Sequence, residues 1–104
     1  VICRAGALTI AELCAVGAPA LLVPYPAAVD DHQTANAQPL AKAGAAQIVP
    51  ESEMTPEHLA KLLREWLQSR AELAQRATKA RALASPDALR RITEVCLEQA
   101  GAVA

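Results

Sequence analysis

The fold is decided by residues 1–23, which read VICRAGALTIAELCAVGAPALLV. Two short apolar runs, over 1–3 and 20–23, flank a segment rich in helix-forming residues. That segment is followed by Gly17 and Pro19, and a glycine just past a helix with a proline soon after it is the usual signal for a helix end. Short, continuous apolar runs are typical of strands that are buried on both faces. The stretch therefore predicts a strand, a helix and a second strand.

The same alternation continues along the chain. We predict the first helix over residues 7–16, a loop over 25–31, a second helix over 32–43 that is interrupted by Pro39, and a third strand over 46–49. Strands that alternate with helices indicate a parallel sheet with crossover helices, so the predicted fold class is α/β. Three short strands would leave exposed sheet edges, and the chain opens inside an apolar run. We therefore expect it to be a piece of a larger sheet protein.

The second half of the chain predicts helices. Thr55 followed by Pro56 is a helix start with proline at the first helical position, and residues 85–87 (SPD) repeat this signal. Apolar residues at helical spacing define one face of each of three helices. They are Leu59, Leu62, Leu63, Trp66 and Leu67 in the first, Leu73, Ala77, Ala80 and Ala84 in the second, and Leu89, Ile92 and Cys96 in the third. We interpret the first face as core packing, and the alternative is a docking surface.

Composition narrows the classes of function. The formal net charge of the 104 residues is -1, which gives no basic face for nucleic acid. Cys3, Cys14 and Cys96 are an odd number without CxxC spacing. Reduced, partly buried thiols of a cytoplasmic protein are therefore favoured over a disulfide framework or a metal site. No apolar run approaches the ~20 residues that a membrane-spanning helix needs.

Two loops follow strands of the predicted sheet at the edge where open parallel sheets bind ligands, outside the carboxyl ends of the strands. In the first loop, over residues 4–8, Gly6 permits a close approach to the backbone. The free amides of the following helical turn and the helix dipole would attract a phosphate or diphosphate, with Thr9 as a further hydroxyl donor. This loop therefore predicts an anion site, although many glycine-containing turns bind nothing.

Glu12 is the one charged residue of the first predicted helix, and two interpretations stay open. Thr9 and Glu12 have the spacing of a capping box, in which each side chain bonds the backbone amide of the other residue. Alternatively, the two acceptor oxygens of the Glu12 carboxylate receive hydrogen bonds from a ribose diol.

The loop after the second strand and the helix start beyond it hold a cluster of polar side chains. Asp30 and Asp31 are best explained as helix caps that favour the dipole. Capping explains Gln33 and Asn36 less well, so we predict that their amides bind sugar hydroxyls. A lone histidine without an orienting partner is more often a binding or surface residue than a general base, and we interpret His32 in this way.

Five segments, in order, resemble the MurG family, the UDP-N-acetylglucosamine transferases of peptidoglycan synthesis. They are residues 3–12 (CRAGALTIAE), 17–20 (GAPA), 24–26 (PYP), 31–37 (DHQTANA) and 42–46 (KAGAA). The resemblance implies the GT-B architecture, two Rossmann-like domains that face a cleft, with this chain as part of the C-terminal, donor-binding domain. Residues 1–50 would be the donor-site half of that domain and residues 51–104 its helical tail.

The resemblance and the side-chain pattern together give a substrate-binding set. It consists of Ala7, Leu8, Thr9, Ile10, Ala11, Glu12, His32, Gln33 and Asn36. In the implied assignment, the first three residues of the set hold the diphosphate, chiefly through backbone amides. Glu12 holds the ribose hydroxyls, and Gln33, with His32 beside it, contacts the hydroxyls of N-acetylglucosamine. Some members of the family have Gln in place of His32.

The reaction implied by the resemblance is an inverting transfer of N-acetylglucosamine from UDP-N-acetylglucosamine to an undecaprenyl-linked muramyl-pentapeptide. No metal and no cofactor are expected. The catalytic residues are expected in an N-terminal domain that this chain lacks, so the isolated chain would be inactive. The resemblance implies a peripheral enzyme at the cytoplasmic face of the bacterial inner membrane, with the membrane contact in the other domain and no nucleic acid as a partner.

Two other functions stay open on the sequence alone. One is another GT-B enzyme that uses a UDP-sugar, such as a lipid glycosyltransferase or a UDP-sugar epimerase. The other is a non-catalytic helical module that docks a partner through residues 56–100. Substitution of Glu12 distinguishes a sugar-nucleotide site, which needs this carboxylate, from a docking module, which does not.

Overall fold

The computed structural model describes residues 1–27 and 31–103. In that part of the chain, three strands and five α-helices follow one another in the predicted order. The elements are β1 (Ile2–Cys3), α1 (Ala7–Val16), β2 (Ala20–Leu22), α2 (His32–Ala43), β3 (Ala46–Ile48), a 3-10 helix (Glu51–Glu53), α3 (Pro56–Leu67), α4 (Arg70–Ala82) and α5 (Ala88–Val103). Both α1 and α2 have the bounds that the sequence predicts.

The three strands form one parallel sheet in the order β1-β2-β3. In the middle strand, Leu21 stands opposite Ile2 of β1 and Gln47 of β3. The sequence predicts Val23 and Val49 inside strands, but each lies one residue beyond its strand. Their backbone amides still donate to the neighbouring strand, each over 2.8 Å. The parallel order confirms the predicted α/β class.

The helix ends follow the glycine signals, whereas the proline signal inside α2 does not end the helix. Gly17 and Gly44 close α1 and α2 in the left-handed conformation, with φ of 71° and 80°. Pro39 lies inside α2, which continues through it to Ala43. Because proline has no N–H, it removes one backbone hydrogen bond, and the rest of α2 tolerates this loss.

β2 is buried on both faces, as its continuous apolar run predicts. Alternate side chains of a strand point to opposite sides. Leu22 packs with residues of α1, α2 and α4, whereas Leu21 packs with residues of α3. The other buried residues on the Leu22 side are Ala5, Leu13, Cys14, Ala20, Ala37, Leu40, Ala45, Ala46 and Ala80. Six of the nine are alanines, whose small side chains let the helices approach the sheet closely.

α3 covers the other face of the sheet. Leu62 is buried there with Leu21 and Val49, and the partly buried residues around them are Met54, Leu59, Leu63 and Trp66. This packing confirms the interpretation of the α3 face as core. Leu67 is the exception: it is 67% exposed, because it ends the helix and lines an open groove.

Polar contacts fix α3 and α4. Thr55 caps α3 as predicted, since its hydroxyl oxygen accepts from the amide of His58 over 3.1 Å. The guanidinium carbon of Arg76 lies 4.1 Å from the ring centroid of Trp66, and Nη1 of Arg76 donates to the carbonyl oxygen of Gly44 over 3.2 Å. One arginine of α4 therefore joins α3 to the end of α2.

α5 lies outside this core. Every residue from Ser85 to Gly101 is exposed, including the predicted apolar positions Leu89 and Ile92. The prediction of partly buried thiols is wrong for Cys96, which is exposed on this helix because no described element packs over it. Within the described ranges, no helix combines the length and the apolar character needed to cross a membrane.

We predict that Gly17→Ala lowers the free energy of unfolding by about 1–2 kcal/mol, the usual cost of a left-handed backbone for a residue with a Cβ atom. The added Cβ atom would also lie 3.2 Å from the carbonyl oxygen of Ala77 in α4. Urea denaturation followed by circular dichroism measures the change. Gly101→Ala is the matched control, because its Cβ atom meets nothing within 4 Å and alanine favours a helix. Equal losses of stability in the two variants would contradict the prediction.

Candidate functional site

Ala5, in the segment after β1, is held at both of its backbone polar groups. Its amide donates to Oε1 of Gln33 over 3.2 Å, and its carbonyl oxygen accepts from Nδ2 of Asn36 over 3.1 Å. Gln33 and Asn36 lie three residues apart on α2 and therefore share one face of the helix. Ala5 is fully buried, and a buried backbone group without a partner would cost free energy. These two hydrogen bonds are called the Ala5 clamp below.

Gln33 also reaches the segment after β2. Its Oε1 accepts a second hydrogen bond from the amide of Tyr25, over 2.8 Å. Because backbone amides only donate, the two N–H groups fix which end of the side-chain amide points inward. The outward NH2 group has no hydrogen-bond partner among the described residues.

The clamp gives Gln33 and Asn36 a function that the sequence analysis missed. The only signal for it in the sequence is the spacing of two amide side chains on one helix face. In Asn36, the clamp occupies Nδ2 and leaves Oδ1 as the acceptor. In Gln33, it occupies the oxygen and leaves two N–H donors. Their binding of sugar hydroxyls stays a prediction, now with defined donor and acceptor atoms.

The N-terminus of α1 is open. Gly6 occupies the capping position without a side-chain cap bond, and the first turn holds no acidic residue. The amides of Ala7, Leu8 and Thr9 have no acceptor within the helix, since the first turn of any α-helix lacks one. Leu8 is 80% exposed, so this end of the helix is accessible. Unpaired amides and the positive end of the dipole favour an anion here.

The capping-box interpretation of Thr9 and Glu12 is wrong. A capping box needs the threonine at the capping position, but α1 begins at Ala7 and Gly6 stands at that position. Thr9 therefore lies within the first turn and Glu12 in the second. Glu12 is exposed and makes no hydrogen bond or ion pair with the described residues. Its carboxylate is available to a ligand.

Glu12 lines a cleft of about 650 Å³ between α1 and the segment that joins α4 to α5. The other members of the predicted set that line it are Ala7, Leu8, Ile10 and Ala11. His32, Gln33 and Asn36 lie outside the cleft walls. The structure thus brings the predicted residues together in two groups, one along α1 and one at the start of α2, which the Ala5 clamp connects.

The start of α2 differs from the prediction. Asp31 stands at the capping position with φ of 52°, and its carboxylate makes no cap bond. Its Oδ1 instead accepts from the hydroxyl of Thr34 over 2.7 Å. The predicted capping by Asp31 is wrong because a capping residue needs an extended backbone. Asp30 lies outside the described residues. His32 is exposed and has no hydrogen-bond partner in the described part of the chain.

Arg4 is a further residue at this edge that the sequence analysis missed. Its Nη2 lies 2.5 Å from Oε1 of Glu51, in the 3-10 helix that follows β3. Its guanidinium carbon is 5.4 Å from the ring centroid of Tyr25, and its Nη1 is 3.4 and 3.5 Å from the carbonyl oxygens of Val23 and Pro24. One side chain after β1 therefore contacts the segments after β2 and β3. A charged residue directly after a strand is its only sequence signal.

The cysteine side chains take no part in the contacts of Ala5 and Arg4, although Cys14 lines the cleft beside Glu12. Burial raises the pKa of the Cys14 thiol. The pKa of the Cys3 thiol is also raised, chiefly by burial. Both thiols are therefore protonated at neutral pH. Cys3, Cys14 and Cys96 are free. Among the residues that the structure describes, no group of three or more His, Cys, Asp or Glu side chains is placed to hold a metal ion.

Comparison with known proteins decides the family. Residues 1–92 match the model described as the glycosyltransferase family 28 C-terminal domain. The chain belongs to this family. The match includes the three strands, α1 and α2, and therefore every residue of the predicted site.

Several known proteins are similar to this chain over nearly its whole length. The UDP-N-acetylglucosamine--N-acetylmuramyl-(pentapeptide) pyrophosphoryl-undecaprenol N-acetylglucosamine transferase of Marinobacter nauticus is 55% identical, over 96% of this chain and 28% of that protein. The enzyme of the same name from Dechloromonas aromatica is 54% identical, over 94% of this chain and 27% of that protein. A crystal structure of Acinetobacter baumannii MurG matches with a TM-score of 0.85 and 48% identity, over 93% of this chain and 29% of that chain.

These matches confirm the resemblance to the MurG family and the predicted fold, the C-terminal part of a GT-B domain of Rossmann-like type. The chain spans somewhat more than a quarter of the length of the relatives that it matches. The roles of the individual site residues stay predictions.

We predict that two substitutions of Gln33 separate the clamp from ligand binding. Gln33→Leu leaves the amides of Ala5 and Tyr25 without their acceptor and should lower the free energy of unfolding by about 1–3 kcal/mol. Gln33→Glu keeps an acceptor oxygen and should leave stability unchanged, although it removes the outward N–H donors. Urea denaturation compares the two. A Gln33→Leu protein as stable as the wild type would show that the clamp does not support the fold.

We expect Cys14 to react with iodoacetamide at pH 7 at least about tenfold more slowly in the folded protein than in urea, because only the exposed thiolate reacts. Burial raises the pKa of this thiol. Deprotonation in the folded protein therefore needs a higher pH than in the unfolded chain, and the folded-state rate should rise at alkaline pH. Mass spectrometry of the labelled peptide gives the rates. Similar rates in both states at pH 7 would rule out the buried environment.

Proposed function

We propose that this chain is the donor-binding part of a transferase that moves N-acetylglucosamine from UDP-N-acetylglucosamine to an undecaprenyl-linked muramyl-pentapeptide in peptidoglycan synthesis. The observation that carries the proposal is the 55% identity, over 96% of this chain, to an enzyme named for this transfer. In the proposal, residues 1–50 are the donor-site half of the C-terminal domain of a two-domain GT-B enzyme. Residues 51–104 are its helical tail.

The diphosphate of the donor would bind at the start of α1. The amides of Ala7, Leu8 and Thr9 and the helix dipole supply the attraction, and the missing acidic side chain in the first turn removes any competing negative charge. Negative charge builds up on the departing diphosphate during transfer. Amides that are already oriented toward it stabilise the transition state more than the ground state.

The ribose of the donor would lie further along α1, at Glu12. Leu8 and Glu12 are four residues apart, which places them on one face of the helix and about 6 Å apart along its axis. Both line the same cleft. A carboxylate without a protein partner in the described chain can accept two hydrogen bonds from neighbouring ribose hydroxyls.

The sugar would contact the start of α2. The outward N–H donors of Gln33 would bind hydroxyl oxygens of N-acetylglucosamine, with the exposed His32 beside them. The Ala5 clamp supports this arrangement, because it connects Gln33 to the residue directly before Gly6. The sugar site and the diphosphate site would then occupy adjacent positions at one edge of the sheet.

In the proposed reaction, the C4 hydroxyl of the muramyl acceptor attacks the anomeric carbon while UDP leaves from the opposite side, so the configuration inverts. His32 has no described partner that would orient it as a base, so we assign proton removal to a part of the enzyme outside this chain. We place the enzyme at the cytoplasmic face of the bacterial inner membrane as a peripheral protein. Its contact with the membrane and with the lipid acceptor would also lie outside this chain.

Titration calorimetry of the complete protein with UDP-N-acetylglucosamine tests the proposal. Glu12→Ala should weaken binding about 10- to 150-fold, since a hydrogen bond to a charged group contributes ~1.5–3 kcal/mol. Glu65→Ala removes an exposed carboxylate from α3 and should bind like the wild type. Wild-type protein that does not bind UDP-N-acetylglucosamine would overturn the proposed function.

A second ligand locates each contact within the donor. UDP retains the ribose and the diphosphate but lacks the sugar, so Glu12→Ala should weaken the binding of UDP and of the full donor alike. Gln33→Glu should weaken the binding of the full donor alone. Unchanged affinity of Glu12→Ala for both ligands would remove Glu12 from the site.

A further inference from the structure

One cluster at the carboxyl edge of the sheet has no part in the donor contacts proposed above. It consists of Arg4 after β1, Tyr25 after β2 and Glu51 after β3. The guanidinium group of Arg4 lies over the ring of Tyr25, with 5.4 Å from its carbon to the ring centroid, and pairs with the carboxylate of Glu51. One side chain thus connects all three segments that leave the sheet.

Arg4 makes a connection that the Ala5 clamp does not make. Gln33 ties the segment after β1 to the segment after β2. Among the described residues, the side-chain hydrogen bond that joins the 3-10 helix after β3 to these two segments comes from Arg4 alone. Loss of the pair with Glu51 would therefore remove this side-chain hydrogen bond between the third segment and the other two.

We infer that Arg4 is a positioning residue for the donor site, and that it acts through its pair with Glu51. Arg4 directly precedes Ala5 in the chain, and Ala5 precedes Gly6 at the start of α1. Holding Arg4 between Tyr25 and Glu51 therefore fixes the segment that leads into the α1 N-terminus. The inference rests on the proposed function, because it assigns the positioned segment to the diphosphate of the donor.

Because the Arg4–Glu51 pair is exposed, its effect on donor binding can be distinguished from an effect on the stability of the fold. The side chains of Arg4 and Glu51 are 46% and 45% exposed. Water screens such a pair, so it adds little to the stability of the fold. A planar guanidinium group can donate in its plane to a carboxylate and place its face on an aromatic ring at the same time, which a lysine ammonium group cannot do. The residue type suits a bridge between three segments.

The competing explanation is direct contact of Arg4 with the diphosphate, since guanidinium groups bind phosphate well. The two explanations differ in the role of Glu51. If Arg4 acts through the pair, neutralising Glu51 impairs donor binding. If Arg4 touches the diphosphate itself, neutralising Glu51 leaves donor binding unchanged or improves it, because the carboxylate no longer competes for the guanidinium group.

The test measures KM for UDP-N-acetylglucosamine and kcat in the complete transferase. Arg4→Ala and Glu51→Gln should each raise KM about three- to tenfold, with kcat within about twofold of the wild type and the same urea midpoint. The double variant should be no worse than Arg4→Ala, because both substitutions break one bridge. Arg4→Lys, which keeps the ion pair but not the stacking, should fall between Arg4→Ala and the wild type. Arg90→Ala removes an arginine of α5 that pairs with Glu94 in the same helix and with Asp87 just before it, and serves as the control.

Two other outcomes would overturn the positioning role of Arg4. A normal KM for Glu51→Gln beside a raised KM for Arg4→Ala overturns the positioning role in favour of direct contact. If the two increases in KM multiply in the double variant, the positioning role is overturned as well, since Arg4 and Glu51 then contribute independently. These outcomes leave the proposed function intact. A wild-type protein that does not use UDP-N-acetylglucosamine overturns both.

Discussion

The arrangement of the candidate site depends on the pair of hydrogen bonds that holds Ala5. A residue buried between the sheet and the helices has its amide and its carbonyl group satisfied by two side chains of α2. Since the next residue in the chain is the capping residue of α1, the same bonds determine where α1 begins relative to α2. Gln33 extends this constraint to Tyr25. The same hydrogen bonds thus satisfy buried backbone groups and set the geometry of the candidate site.

Close packing of small side chains makes this solution possible. The larger core cluster is built mainly of alanines around Leu22 and Leu40, with Ala80 bringing α4 against it. Helices that approach the sheet this closely leave little room for adjustment, so a displacement of α2 would also displace the segment after β1. The other face, where α3 packs over Leu21, has the larger side chains and contributes no residue to the predicted site. One face of the sheet therefore packs against the helices that carry the predicted site residues, and the other face packs against α3.

Local sequence signals predict the helices and strands. They do not predict the contacts between residues that lie far apart in the chain. Glycines that end helices and short apolar runs give α1 and α2 their correct bounds from the sequence, because each signal acts within a few residues. The hydrogen bonds on Ala5 join residues 28 and 31 positions apart, and the pair of Arg4 with Glu51 spans 47 positions. Periodicity likewise identifies the apolar face that includes Cys96 but not whether another element covers it. The proposed binding of a nucleotide sugar rests on the order of several motifs, not on any single spacing.

The complete burial of Ala5 also constrains how this edge of the protein can evolve. A side chain much larger than a methyl group at this position would push the segment after β1 away from α2, so only the smallest residues are compatible with the clamp. Sequence drift is then directed to positions that project outward, such as Leu8 and His32, which are both exposed. Such substitutions change the exposed surface of the candidate site, while the backbone beneath it stays in place.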